Sequence, residues 1–167
     1  MADEGLKEKI LAWLAEEFDV STGQLPANAP VEWAVKASVR GARIVVTVQK
    51  PRGRDAIVLT LGVGLGPKHR EALSNMPDHE RVKIMAELVK GLYTMCPDCS
   101  IAAQPSLEKP EVIIVTKAIY LDGGLVRGVL LSAARTLANM AVYIMIHVNV
   151  SLGLYGQRGG GGEGYML

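Results

Sequence analysis

The stretch EVIIVTKAIYLDGGLVRGVLLSAARTLANMAVYIMIHVNVSLGLYG, residues 111–156, decides the fold that the sequence predicts. It reads as a buried strand, a tight turn at Asp122-Gly123-Gly124 and a long helix. Glycine accepts the positive φ values of such a turn, and aspartate can cap a following helix. From Leu125 onward the apolar residues recur at helical spacing, which predicts one helix face directed at the core.

The totals indicate one soluble domain with no bulk charge. The chain has 167 residues, of which 49% are hydrophobic, so it can form one core. Its 18 basic and 17 acidic residues leave a net charge of +1, which argues against nucleic acid and acidic membranes as partners. The start lacks the basic-then-apolar order of a signal peptide, so we expect a cytoplasmic protein.

Upstream of the long helix, the periodicity changes from helical to alternating and back. It predicts the following elements: a helix at 6–18, a three-stranded antiparallel meander at 31–63, a short helix from Pro67 through Leu73, a helix from Asp78 through Val82, Met85, Leu88, Val89 and Leu92, and strands at 100–104 and 112–119. We place one α+β domain at residues 1–152 and a flexible glycine-rich tail at 153–167.

Two segments resemble an archaeal family of unknown function with a type III secretion chaperone-like fold. They are LGVGLGPKHREALSNMP at 61–77 and VTKAIYLDG at 115–123. The resemblance covers about residues 4–150. It implies the order α-β(3)-α-β(2)-α, with an antiparallel sheet packed against helices and a long C-terminal helix. It further implies a homodimer and a non-catalytic module that binds a protein or peptide segment. The partner itself is not implied.

The glycines before the short helix raise the question of an anion or phosphate site. Gly64, Gly66, Lys68 and His69 lie at or just before the N-terminus of that helix, where free N–H groups favour anions. Two features oppose this interpretation: Pro67 removes one N–H group, and the preceding strand belongs to a meander rather than to a parallel unit. A structural turn is therefore the main interpretation, with an anion site in a small enzyme or ligand binder as the alternative.

Cys96-Pro97-Asp98-Cys99 is the sharpest local motif. It follows a helix, whereas redox pairs of the thioredoxin type lie at a helix N-terminus. A zinc site needs four ligands, which two chains could supply across a dimer axis. Two buried thiols are the main interpretation, and a disulfide and a metal or redox site at Cys96 and Cys99 stay open. We expect no bound cofactor and no stoichiometric zinc.

The remaining polar residues form no catalytic constellation. His69, His79 and His147 share no ligand spacing and lie beside no candidate nucleophile. The stretch 136–155 has no Asp, Glu, Lys or Arg and is long enough to cross a bilayer. Its polar residues and the arginines just upstream favour a core helix over a membrane anchor. The sequence therefore favours a binding module over an enzyme.

Overall fold

The computed structural model describes residues 2–155 of the protein, and the side chains from Glu4 onward. Within that part of the chain, four helices and six strands follow one another. In order they are α1 Ala2–Leu14, β1 Asp19–Thr22, β2 Val31–Ser38, β3 Val45–Pro51, β4 Ala56–Gly64, α2 Pro67–Ser74, α3 Asp78–Met95, β5 Ser100–Pro105, β6 Pro110–Tyr120 and α4 Arg127–Ser151. The α+β class and the meander are confirmed. From residue 156 on, the predicted tail lies outside the described residues.

All six strands form one antiparallel sheet in the order β1-β2-β3-β4-β6-β5. The hairpin turns between β2, β3 and β4 use glycines with positive φ, Gly41 at 74° and Gly53 at 67°. The helical pair α2 and α3 connects β4 to β5, and β6 then inserts between these two strands. The sheet consequently ends in β1 on one side and in β5 on the other.

One face of the sheet is buried under the helices. Alternate residues of the central strands point to this side, among them Val48, Leu59 and Val115, and none of these three is exposed. Helix α4 packs against β3, β4 and β6, α1 lies against β1 and β2, and α3 lies against β5. The helices therefore form one layer, and the opposite sheet face has no layer of its own among the described residues.

Helix α4 is the central core element, as its periodicity predicts. Leu130, Leu137 and Ile144 are fully buried, and burial of each such side chain contributes roughly 1.5–3 kcal/mol. By length and composition α4 could cross a membrane, since an 18-residue window has a mean hydropathy of 1.6. Half of that window is buried inside the protein, which is typical of a core helix. Residues on the other flank pair with the turn that follows α1, Arg127 with Glu16 and Arg135 with Glu17.

Three details differ from the sequence prediction. Strand β1 was missed because four polar or small residues at a sheet edge, Asp-Val-Ser-Thr, give no alternating apolar signal. The first helix ends at Leu14, four residues before its predicted end at residue 18. Phe18 enters the core from the turn that follows. Asp122 does not cap α4: its carboxylate accepts the N–H of Gly123, and Val126 is the N-cap residue.

Candidate functional site: a free sheet edge beside helix α3

Strand β5 ends the sheet, and its outer backbone edge has no strand partner in the described chain. In β6, Glu111 accepts a hydrogen bond from Leu65 on the β4 side, and Leu121 donates one to Asp55 on that side. Residues of β6 with odd numbers thus bond to β4, and those with even numbers bond to β5. Ala102 pairs with Ile114, so its backbone groups face inward. The N–H and C=O groups of Ile101 and Ala103 therefore point to the free edge.

The free edge carries no charged side chain, and its first five residues include no proline. Natural edge strands are commonly blocked by charged side chains or by proline. The sequence of β5, Ser-Ile-Ala-Ala-Gln-Pro, contains no charge, and its proline stands at the last position. Strand β1 at the opposite edge is shorter and begins with Asp19, which pairs with Arg40. Of the two edges, β5 is the one that can accept an additional strand.

Helix α3 places apolar side chains above this edge. Its flank toward α4 carries Ile84, whose carbonyl accepts a hydrogen bond from His147, and Gly91, which lies against Tyr143. The opposite flank carries a separate apolar stripe at helical spacing. The stripe consists of Val82, Val89 and Tyr93, of which Val82 is 37% and Tyr93 is 42% exposed. We call these three residues the α3 flank.

The α3 flank extends to a cleft at the end of β5. This open cleft of about 780 Å³ lies between the start of α3 and the β5–β6 turn, and its lining includes Val82, Arg81, Glu108 and Lys109. Val82 belongs both to the α3 flank and to the lining of the cleft, so the α3 flank faces the side of the molecule on which β5 ends. The sequence pattern had grouped Val82 and Val89 with the core residues of α3, and the structure corrects this assignment for the exposed Val82.

Arg81 joins α3 to α2 at the cleft. It is 7% exposed, it donates from one terminal nitrogen to the carbonyl of Leu73 at 3.1 Å, and its other terminal nitrogen pairs with Asp78. Its Nε has no hydrogen-bond partner in the described part of the protein. The guanidinium thus links α3 to the end of α2 and lines one wall of the cleft.

The Cys96-Pro97-Asp98-Cys99 motif closes the turn from α3 to β5. The Cys99 N–H donates to the Cys96 carbonyl at 3.2 Å, and this turn brings the two Cα atoms to 5.3 Å. The two sulfurs form a disulfide, so the interpretation as free thiols was wrong about the bond and right about the burial. The disulfide joins the C-cap residue of α3 to the residue that immediately precedes the edge strand.

Lys117 of β6 completes this turn. Its Nζ lies 2.7 Å from both carboxylate oxygens of Asp98 and 3.9 Å from Sγ of Cys96. The hydrogen bond from Lys117 lowers the pKa of Asp98 below its ordinary value. The side chains of Cys96, Asp98 and Cys99 lie close enough to share a metal ion. In the disulfide form, however, neither sulfur is a thiolate, which is the form that binds metals.

The residues of the predicted anion site lie together, and Gly66 and His69 are hydrogen-bonded to each other. The Gly66 N–H donates to Nδ1 of His69 at 3.2 Å, so Nε2 carries the proton and donates to Oδ1 of Asn149 at 3.0 Å. His69 is buried, whereas Lys68 is exposed and Gly64 ends β4. At this helix start the Gly66 N–H is used by His69, and Pro67 offers no N–H. This geometry favours the structural turn over the anion site.

A comparison with known protein families identifies the family of this chain. Residues 6–148 match the model of a family described as "Uncharacterized conserved protein (DUF2299)". The chain belongs to this family. The family's description agrees with the resemblance of the sequence to a family of unknown function. No curated protein matches the chain.

A solved structure shares the fold. It is the crystal structure of an uncharacterized protein from Methanothermobacter thermautotrophicus, at a TM-score of 0.74 and 17% identity. The match covers 88% of this chain and 99% of that chain. At this identity the likeness supports the fold of the DUF2299 chain and says nothing of its activity.

The sequence contained a usable signal for the free edge. Strand β5 is uncharged, and by the 100° helical step the α3 stripe Val82, Val89 and Tyr93 lies about 70–110° from the mean direction of the buried positions of α3. What the sequence lacked was the strand order, because only the structure shows that β6 inserts and leaves β5 outermost.

Proposed function

We propose that this DUF2299 protein is a non-catalytic, chaperone-like module that binds an extended segment of a partner protein by adding it as a strand to β5. The observation that carries the proposal is the free backbone edge at Ile101 and Ala103, which lies beside the exposed α3 flank. Strand addition uses main-chain hydrogen bonds for affinity and alternate side chains for specificity.

The chemistry of the edge defines the segment. Ile101 and Ala103 direct their side chains to the helix side of the sheet, as does their cross-strand neighbour Val115. An added strand would place every second side chain on that same side, under Val89 and Tyr93 of the α3 flank. Those positions favour apolar, β-branched residues. The segment is therefore extended, with apolar residues at every second position.

The cleft supplies a polar end to this apolar surface. Glu108 and Lys109 of opposite charge line it together with Arg81. A peptide that runs along β5 would reach this cleft at the β5–β6 turn. Its residues there would meet hydrogen-bonding groups rather than the apolar flank, which favours one register of binding over another. An uncharged edge followed by a polar cleft supports a peptide site better than a small-molecule pocket.

Substitution of Ala103 by proline tests the proposal. Proline removes the outward N–H of residue 103 and leaves the bonds between Ala102 and Ile114 in place. Peptides selected from a random library on the full-length protein should show apolar residues at alternate positions. We expect Ala103→Pro to weaken their binding at least tenfold in fluorescence anisotropy, because a main-chain bond and the strand geometry are lost.

Ala103→Val is the matched control, since valine keeps the N–H and suits a strand. Its affinity should stay close to that of the unsubstituted protein. Circular dichroism and thermal unfolding establish that both variants fold. Equal affinity of the proline and valine variants for the selected peptides would refute binding by strand addition. Selected peptides without any alternation would refute the proposed segment.

A further inference from the structure

The sheet face opposite the helices carries no Asp, Glu, Lys, Arg or His on its three central strands. By alternation and register, the residues on this side include Val45, Thr47 and Gln49 of β3, Val58, Thr60 and Gly62 of β4, and Val112, Ile114, Thr116, Ala118 and Tyr120 of β6. We call these residues the outer sheet face. They are exposed or half-buried, and Tyr120 is 71% exposed.

A sheet face in contact with water normally alternates in polar and charged residues. The outer sheet face instead consists mainly of β-branched and small side chains, which make a flat surface. Beyond the central strands, β5 adds only uncharged residues on this side, β2 adds Lys36, and β1 adds Asp19, which pairs with Arg40. Contiguous uncharged surfaces with exposed apolar residues are typical of protein–protein interfaces. Tyrosine, as at position 120, is common among the residues that contribute most to binding.

The size of the face matches an interface of ordinary dimensions. Together with the same side of β1, β2 and β5, the outer sheet face spans six strands. Spaced about 4.8 Å apart, with segments of about seven residues at 3.3 Å each, they cover roughly 650 Å² before side-chain relief is added. A standard interface buries about 800 Å² on each partner. One further sheet of the same dimensions would cover this face completely.

We propose that a second copy of this chain covers the outer sheet face, with the two sheets stacked face to face about a two-fold axis. In such a dimer each surface must be complementary to itself. Thr47, Thr60 and Thr116 lie in one row across the three central strands. A hydroxyl both donates and accepts hydrogen bonds, so a threonine row can pair with its own copy, whereas a row of like charges would repel it.

The helix layer is less suited to this contact. Its exposed surface includes the ion pairs of Arg127 with Glu16 and of Arg135 with Glu17, together with the exposed Asn139. Covering these ion pairs would cost desolvation free energy, whereas the three central strands of the outer sheet face carry no charge to desolvate. Stacking through the outer sheet face also leaves the β5 edge open. The dimer is therefore independent of the proposed peptide site, and either can fail without the other.

The test is the mass of the full-length protein in solution. Size-exclusion chromatography with light scattering at micromolar concentration should give twice the 17.9 kDa of one chain. Thr60→Arg places a charge at the centre of the outer sheet face and should give the monomer mass. Asn139→Arg places the same charge on the exposed side of α4 and should leave the dimer intact.

Two results would overturn the proposal. The first is a monomer mass for the unsubstituted protein. The second is a folded Thr60→Arg protein that remains dimeric; if Asn139→Arg dissociates at the same time, the contact lies on the helix layer. If Thr60→Arg does not fold, Ala118→Lys serves in its place, because Ala118 is exposed on the same face and pairs with Val58. A folded, dimeric Ala118→Lys protein would equally refute the face-to-face contact.

Discussion

Replacing His69 with leucine should lower the free energy of unfolding by about 2–3 kcal/mol, because two polar groups lose their partner. The imidazole accepts the Gly66 N–H on one side and donates to Asn149 on the other. It thereby connects the N-terminus of α2 to the last turns of α4. Leucine can fill the space, yet it leaves the amide proton and the Asn149 oxygen without hydrogen bonds.

Urea unfolding of the His69→Leu protein measures this loss, and Lys68→Ala is the control. Lys68 is the neighbouring residue in the same helix, is exposed and takes part in no ion pair among the described residues. Its removal should leave stability almost unchanged. If His69→Leu were as stable as the unsubstituted protein, the histidine would not be a structural link. The alternative that it serves a ligand would then gain support.

Substitution of Gly91 by alanine should also destabilise the protein, by about 1–2 kcal/mol. A Cβ atom at position 91 would collide with Tyr143. It would lie 2.5 Å from Cζ and 2.8 Å from Cε1 of the ring, and still closer to the hydroxyl oxygen. The absent side chain thus lets α3 and α4 approach each other. The steric cost exceeds the roughly 1 kcal/mol that alanine gains over glycine in a helix.

Two matched variants isolate this contact in thermal unfolding. Gly5→Ala lies in α1 with no atom within 4 Å of the added Cβ, and it should stabilise the protein slightly. Combining Gly91→Ala with Tyr143→Ala removes the clashing ring, so the pair should lose less stability than the sum of the single changes. A stabilised Gly91→Ala protein would contradict the close packing of α3 on α4.

Most of the fold follows from periodicity. The core stripe of α4 and the alternation of β2, β3 and β4 depend on apolar spacing, which local sequence displays directly. The boundaries and caps of the elements were predicted less accurately. The sequence suggested Asp122 as a cap, but α4 begins after Val126 without a capping side chain. Strand β1 was not predicted, because it is defined by its pairing with β2, and the residues of β1 carry no local pattern that indicates this pairing.

The candidate site could not be predicted from the sequence either, because it too depends on contacts between distant parts of the chain. Whether a strand is an edge depends on strand order, and the insertion of β6 between β4 and β5 is a non-local event. The motifs that the sequence offered, Gly64–His69 and Cys96–Cys99, turned out to be closed by internal bonds. Sequence chemistry therefore pointed to residues with distinctive side chains, whereas the proposed site consists mainly of backbone groups.

Amide hydrogen exchange at β5 tests the central claim most directly. In the free protein, the N–H groups of Ile101 and Ala103 should exchange rapidly, because they face the open edge, while that of Ala102 should be protected by its bond to β6. A saturating peptide selected on the full-length protein should slow exchange at Ile101 and Ala103. Unchanged exchange at these two amides in the presence of a bound peptide would contradict the account.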